Sequence, residues 1–460
     1  MRNKQRSKSQ ELFMSTNSKT EMLEISKKII DLAGKTDVEI MIWKNNFSLT
    51  RYAENYIHQN VSDTSYQIRM RPIIGKKSAT ASTNRIDEKS MKETLLTAIE
   101  TTRLQKDNNK LLPLPDKQQY KKVNNYCTKT DQFSPMQRAE GISKAIAICE
   151  KNGLEGAGIF STNTTETVIA NSKGLFGYDI STKAEFSITA MKGAESGWRE
   201  IVKKNVTKID TEDAARIACK KALMSAYPLE LKPGKYTVIM EPAAVAEFVM
   251  FLLWKGFNGM DYLEGTTFLT EGLHKKIFSE KFSIYEDPYN PDISSQPFDY
   301  EGMPVTPVKL VEQGVPKNFV TNRWIAKQAK VKNNGHAIPL PRQGAYPFAM
   351  RIEKGDSSVE QMIKNTKKGV LVTHFHYSNL IDPIELLTTG MTRDGFFMVE
   401  NGEITKPLKN MRFTESVINV FSNIVEIGNT YEMAGGFFGG GFLVPAMKID
   451  NFNFSSGTEF

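Results

Sequence analysis

Thiol and imidazole are scarce in this chain, which has three cysteines and five histidines among 460 residues. Cys127, Cys149 and Cys219 are odd in number and show no CxxC spacing, which argues against a disulfide framework or a cysteine-built structural zinc site. Cys149 and Cys219 fall in apolar-periodic stretches, where a buried thiol is the usual outcome. The expected setting is a reducing one, the cytoplasm. Neither H-E-x-x-H nor G-x-S-x-G occurs, so a zincin helix and a hydrolase elbow are both missing. No window reaches about 18 consecutive apolar residues, so no helix is expected to cross a membrane. Basic residues outnumber acidic ones only slightly, 60 to 52, for a net charge of +8. They are scattered, as at Lys203-Lys204 and Lys367-Lys368, and no basic run interleaves with aromatics. Nucleic acid is therefore not an expected partner.

The opening residues are basic but lack an apolar core, which is not the pattern of a secretory signal. They read as a disordered tail over 1–19, with Met14 as an alternative start that an intact-mass measurement would decide. Beyond it, 40% hydrophobic and 24% charged residues are globular proportions. This length suits two domains of roughly 200 residues each.

Local patterns place the elements. Glu21 to Ala33 has helical spacing and is stopped by Gly34. Val38 to Trp43 and Phe47 to Tyr52 read as strands around a Lys44–Asn46 turn, and further strands are expected at Ile57–Val61, Tyr66–Arg71 and Ser78–Ser82. Ser134-Pro135 opens a helix ending near Gly153. Two strands flank an Asn171–Gly174 turn, and Asp210 or Thr211 caps another helix. Pro228 to Gly234 marks a boundary, after which glycine turns and strands dominate. The predicted fold is α+β, an α/β N-terminal domain over 20–230 followed by a mostly antiparallel-β C-terminal domain over 235–460.

Four segments carry candidate chemistry. Pro242 to Trp254 is a helix apolar nearly all round, in which Glu247 is a lone carboxylate, a helix-edge residue or a catalytic one. His374 and His376, two apart on a strand, face the same way and are either packing residues or a weak metal pair. Thr389 to Gly395 reads as an exposed glycine-flanked loop. There Arg393 either holds a peptide carboxylate or locks onto Asp394 or Asp382. The glycines of Gly435 to Gly441 allow close backbone approach but form no phosphate loop.

Together these segments resemble the TldD/PmbA family, once called modulators of DNA gyrase and classed with metallopeptidases. Leu49 to Asn60 is similar to its early R-x-x-x-N-x-I-x-Q hairpin, and Thr389 to Ile404 to its T-G-x-x-R-x-G…E-N-G-E-I segment. In the family's catalytic branch the central helix bears H-E-x-x-x-H, and a distant Cys completes a zinc site. Here Met250-Phe251-Leu252-Leu253-Trp254-Lys255 stands in that place, and no Cys follows Cys219. The resemblance is therefore to the TldE/PmbA-like branch, and it implies a non-catalytic subunit that binds unfolded or small peptides. It also implies a TldD-like catalytic partner or a homodimer, and no cofactor. The peptide contacts it suggests are Arg393, Thr392, Gly390, Gly435, Gly436 and Gly439. The alternative is a metal-dependent peptidase in its own right, holding zinc at His374 and His376 with Glu247 or Asp382 assisting. A gyrase-associated role rests only on the old family name.

Overall fold

The computed structural model describes residues 2–340, 344–435 and 441–458, with backbone alone over 2–17 and at Gly435. Helix α1 spans Arg2–Ala33 and so runs back through the stretch expected to be a disordered tail. Between Arg2 and Thr20 there is neither Pro nor Gly to stop it.

Two long hairpins build the first sheet. Strand β1 (Asp37–Ala53) pairs with β2 (Tyr56–Ile74), and β3 (Glu155–Asn171) with β4 (Phe176–Lys192). Pairing of β1 with β3 joins the hairpins, and β5 (Glu195–Lys203) adds to β4 as the last strand. The expected turn at Lys44–Asn46 does not form. Lys44 instead ion-pairs with Glu166 at 3.2 Å, and Asn45 accepts a hydrogen bond from Thr165 at 2.9 Å, so these polar residues serve strand pairing. The turn falls at Glu54-Asn55, both at positive φ (52° and 56°). Asn55 anchors it to β3, accepting from Gly156 N at 2.7 Å and donating to Leu154 O at 2.9 Å.

Helices cover this sheet. Met22 and Ile29 of α1 and Met91 and Leu95 of α2 (Glu88–Leu104) pack on Ile40 and Ile68. Helix α3 (Pro135–Lys151), opened by a Ser134–Gln137 capping box, packs with α4 (Thr211–Met224) around Phe160 and Phe186. Cys149 and Cys219 are buried there.

The second half centres on a closed ring of strands: β6 (Gly234–Met240), β7 (Lys368–Asp382), β8 (Leu387–Glu400), β9 (Met411–Ser416) and β10 (Met447–Gly457). Strand β7 lies between β6 and β8, β9 follows β8, and β10 closes the ring back to β6. Helix α5 (Pro242–Phe251) leaves β6 and sets Phe248 against Phe375, Phe413 and Phe452, with ring centroids 5.3–5.7 Å apart. It continues as a π turn over Leu252–Gly256. A smaller sheet includes Ile284–Glu286, Val308–Glu312, Ala349–Ile352 and Gly441–Val444.

The architecture is thus α+β with mainly antiparallel sheets. Two pairings, β6 with β7 and Ala349–Ile352 with Gly441–Val444, are parallel. The Thr389–Gly395 segment is the middle of β8 and not a loop. Thr388, Gly390 and Thr392 alternate inward while Arg393 stays exposed. Among the described residues no helix is long and apolar enough to cross a membrane.

Phe248→Ala is expected to lower the unfolding free energy by about 3–5 kcal/mol in urea melts, because it opens a cavity among three aromatic rings, and Phe248→Leu by less.

Candidate functional site

Strand β5 brings the site together. Successive side chains on a strand point to opposite faces. Gly197 faces α4 so closely that a Cβ there would lie 2.2 Å from Ala218 O. Ser196, Trp198, Glu200 and Val202 therefore share the other face, toward the barrel. Ser196 Oγ donates to Asp394 Oδ1 at 2.6 Å, and the Trp198 ring sits 4.4 Å from the His374 ring.

Asp394 is the hub. Its φ of 52° is in the left-handed region, followed by Gly395 at 128°, which turns the carboxylate into the seam. His374 Nε2 lies 3.0 Å from Oδ2. Burial pushes the Asp394 carboxyl up, but hydrogen bonds from His374 and Ser196 outweigh it, and the group is held below its ordinary range. The other His374 nitrogen, Nδ1, lies 3.1 Å from Phe375 O.

Two more carboxyls flank this hub. Burial pushes Glu247 of α5 up, and the Ser378 hydroxyl and the His374 charge offset this only in part. Glu200 rises to about 7, through burial first and the neighbouring Glu185 second. His376 is lowered by burial and by the charges of Arg393 and His374. With Arg393, Thr392 and Asn410 it lines a cavity of about 290 Å³.

The expected site residues scatter in part. Arg393 is 51% exposed and leans on Asp394, Nε to Oδ2 3.7 Å, with much of its guanidinium open to solvent. Thr392 is buried, donating to Asn410 Oδ1 at 3.2 Å and accepting from Met411 N at 3.0 Å. Gly390 serves packing inside the barrel, since a Cβ there would fall 2.6 Å from Ser378 Oγ and 2.7 Å from the Phe413 ring. Asp382 lies at the far end of β7, roughly 25 Å from His374 along an extended strand. It accepts from the Ile384 and Glu385 amides (2.8 and 3.0 Å) and shapes the hairpin. Gly435 ends a strand paired with Gly441, and Gly436 and Gly439 lie outside the described residues.

The donor set does not fit zinc. Both His374 nitrogens already face oxygens, and among the described residues no three His, Cys, Asp or Glu side chains group to hold a metal. On the central helix Met250 packs against the barrel core and Phe251 is buried. The Lys255 ammonium lies 3.6 Å from Asp261. What the seam offers is an exposed guanidinium beside a cavity and several buried carboxyls.

Residues 129–226 match the PmbA/TldA metallopeptidase central domain and residues 233–456 the PmbA/TldA metallopeptidase C-terminal domain. Metalloprotease PmbA of Escherichia coli O157:H7 is 25% identical over 303 residues, and the match spans 64% of each protein's length. In three dimensions the chain is similar to TldE from Thermococcus kodakarensis, with a TM-score of 0.83 and 20% identity over 94% of this chain and 99% of that one. It is also similar to a Thermotoga maritima protein described as a modulator of a DNA gyrase, with a TM-score of 0.81 and 18% identity over 94% and 99%. At such identities the two structures speak for the fold.

A carboxyl raised by folding binds protons that the unfolded chain has already released, so its contribution to stability falls as pH climbs from about 4.3 toward the folded value. Glu200, at about 7 in the fold, is such a group. Glu200→Gln is expected to be near neutral at pH 4.5 and stabilising at pH 8, by roughly 1–2 kcal/mol after discounting for solvent screening. Urea melts at the two pH values read the difference.

Proposed function

We propose that this chain, which belongs to the PmbA/TldD family of metallopeptidase-related proteins, binds unfolded or small peptides without cutting them on its own. In this reading it is the non-catalytic subunit beside a zinc-bearing, TldD-like partner, or it works as a homodimer. The observation that carries the reading is the central helix. Where the resemblance places the catalytic branch's H-E-x-x-x-H, this chain has Met250, Phe251 and Lys255, none of them a zinc ligand, and Lys255 pairs with Asp261. Arg393, beside the cavity shared with His376, supports capture of a peptide carboxylate, a geometry that a planar guanidinium suits. Three free thiols agree with work in a reducing, cytoplasmic compartment.

Purified alone, the chain is expected to carry no stoichiometric zinc and to leave unfolded peptides intact. Hydrolysis should appear, and be stopped by chelator, only when a zinc-bearing partner is added. Chelator-sensitive cleavage by the chain alone, with zinc that disappears in His374→Ala, would overturn the reading in favour of a metallopeptidase acting by itself. Arg393→Ala is expected to weaken binding of a peptide with a free carboxylate by about tenfold or more, as loss of a charge-assisted hydrogen bond does. The same peptide amidated at its C-terminus should bind both proteins alike.

A further inference from the structure

Behind β5, on the face away from the barrel, α3 and α4 run side by side in the same direction. Near its start α4 donates from Thr211 Oγ1 to Gly141 O of α3 at 2.8 Å. Further along both helices the sulfurs of Cys149 and Cys219 meet, Sγ to Sγ 3.6 Å. Small side chains in the same core, Ala145 of α3 and Ala215 of α4, let the two helices lie close.

Both sulfurs are buried, Cys149 at 0% and Cys219 at 2% exposure, and they share a hydrogen with each other. A Cβ on Gly156 of β3 would come within 3.0 Å of Cys149 Sγ, so the sulfur has no room on the sheet side and is directed at α4. Among the described residues no third His, Cys, Asp or Glu joins them, so the pair is not part of a metal cluster. A disulfide needs its sulfurs about 2.05 Å apart, and the missing approach of about 1.5 Å is on the scale of a side-chain rotation.

The two cysteines differ in how they are held. Cys149 lies in the last turn of α3, which ends at Lys151, and terminal turns open at little cost. In the closed fold the hydrogen bond with Cys219 and burial push the Cys149 thiol up, so it is unreactive until that turn opens. Cys219 sits inside α4, in the same turn as Ala218 and Lys221. Ala218 O is the atom that Gly197 of β5 approaches, and Lys221 is the partner of Glu241 at 2.6 Å. A bond at Cys219 therefore fixes the part of α4 that meets both β5 and the start of α5.

We propose that Cys149 and Cys219 are a reversible oxidation site, two thiols in the reduced protein and one disulfide when a low-molecular-weight disulfide is in excess. In the opened turn Cys149 loses its proton and its thiolate attacks one sulfur of the small disulfide. That S–S bond breaks, a mixed disulfide forms on Cys149, and one small thiolate leaves. When the turn closes, Cys219 loses its proton and attacks the Cys149 sulfur, forming the protein disulfide and releasing the second small thiolate. The two protons end on the two released thiols, so the protein pair is oxidised by two electrons and the small disulfide is reduced by two. The product clasps α3 to α4 behind the seam.

The test uses the full chain carrying Cys127→Ser, which removes the third thiol, incubated in native buffer with excess oxidised glutathione. Peptide mapping without reductant is expected to find Cys149 linked to Cys219. The melting temperature should rise by about 5 °C, because the cross-link restricts the unfolded chain. Dithiothreitol should reverse both, a reading that no substitution in the core can disturb. Adding Cys219→Ala should leave one glutathione on Cys149 and no rise. Glutathione adducts without the link, a link that forms only after urea has unfolded the chain, or a link that leaves the melting temperature unchanged or lower would each overturn the clasp. Thiols that stay unreacted in the folded protein would overturn it as well.

Discussion

A sheet that ends in an unpaired strand must have that edge covered, and here β5 is the last strand. The second half of the chain supplies the cover through Ser196 with Asp394, Trp198 with His374, and Arg199 with Glu432 at 2.7 Å. Two cavities lie along this seam and take residues from both halves, one lined by Ser196 and Arg393 and one by Asp179 and Phe298. Neither half alone would form them. The barrel makes this possible because its ring closure and its Phe248-centred aromatic core hold β7 and β8 in one place. His374 and Asp394 therefore face β5 on a rigid frame.

The seam is held by charge as well as by shape. Lys221 of α4 and Glu241 at the start of α5 meet at 2.6 Å, with side chains only 10% and 17% exposed. Such a pair loses much of its attraction to desolvation, so its main effect is to fix how the halves meet. Among the described residues Glu200, Asp179 and Glu247 have no equally close cation, and all three are raised by burial. Folding alone has no use for three such carboxyls on one seam. Of the three, Asp179 lines a cavity, and a buried carboxyl there is the kind of local inconsistency that binding sites retain.

Much of the fold was legible from local pattern. The caps at Ser134 and Asp210, the Asn171–Gly174 turn, the buried helix after Pro242 and the burial of Cys149 and Cys219 follow from short-range rules, and the structure has each of them. Two of the misreadings share a cause. Lys44–Asn46 and Thr389–Gly395 look like turns because they are polar or glycine-flanked, yet their partners lie far away in sequence, Glu166 and Thr165 for the first and Ser378 and Phe413 for the second. The candidate site was half visible. His374, Glu247 and Arg393 stood out by residue type. Ser196, Trp198 and Glu200 did not, because a tertiary seam brings them in. The one available signal was the alternation of Ser196, Trp198, Glu200 and Val202 on a short strand.

The π turn at Leu252–Gly256 has a consequence for which side chains of the central helix come together. A π turn bonds residue i to i+5 and so brings side chains five apart toward one side of a helix. Met250 and Lys255 are five apart, as are the two histidines of H-E-x-x-x-H. The chain path that suits such a metal helix is present under side chains unsuited to zinc. On this helix the two places five apart are taken by a thioether and an ammonium, and the ammonium is spent on Asp261.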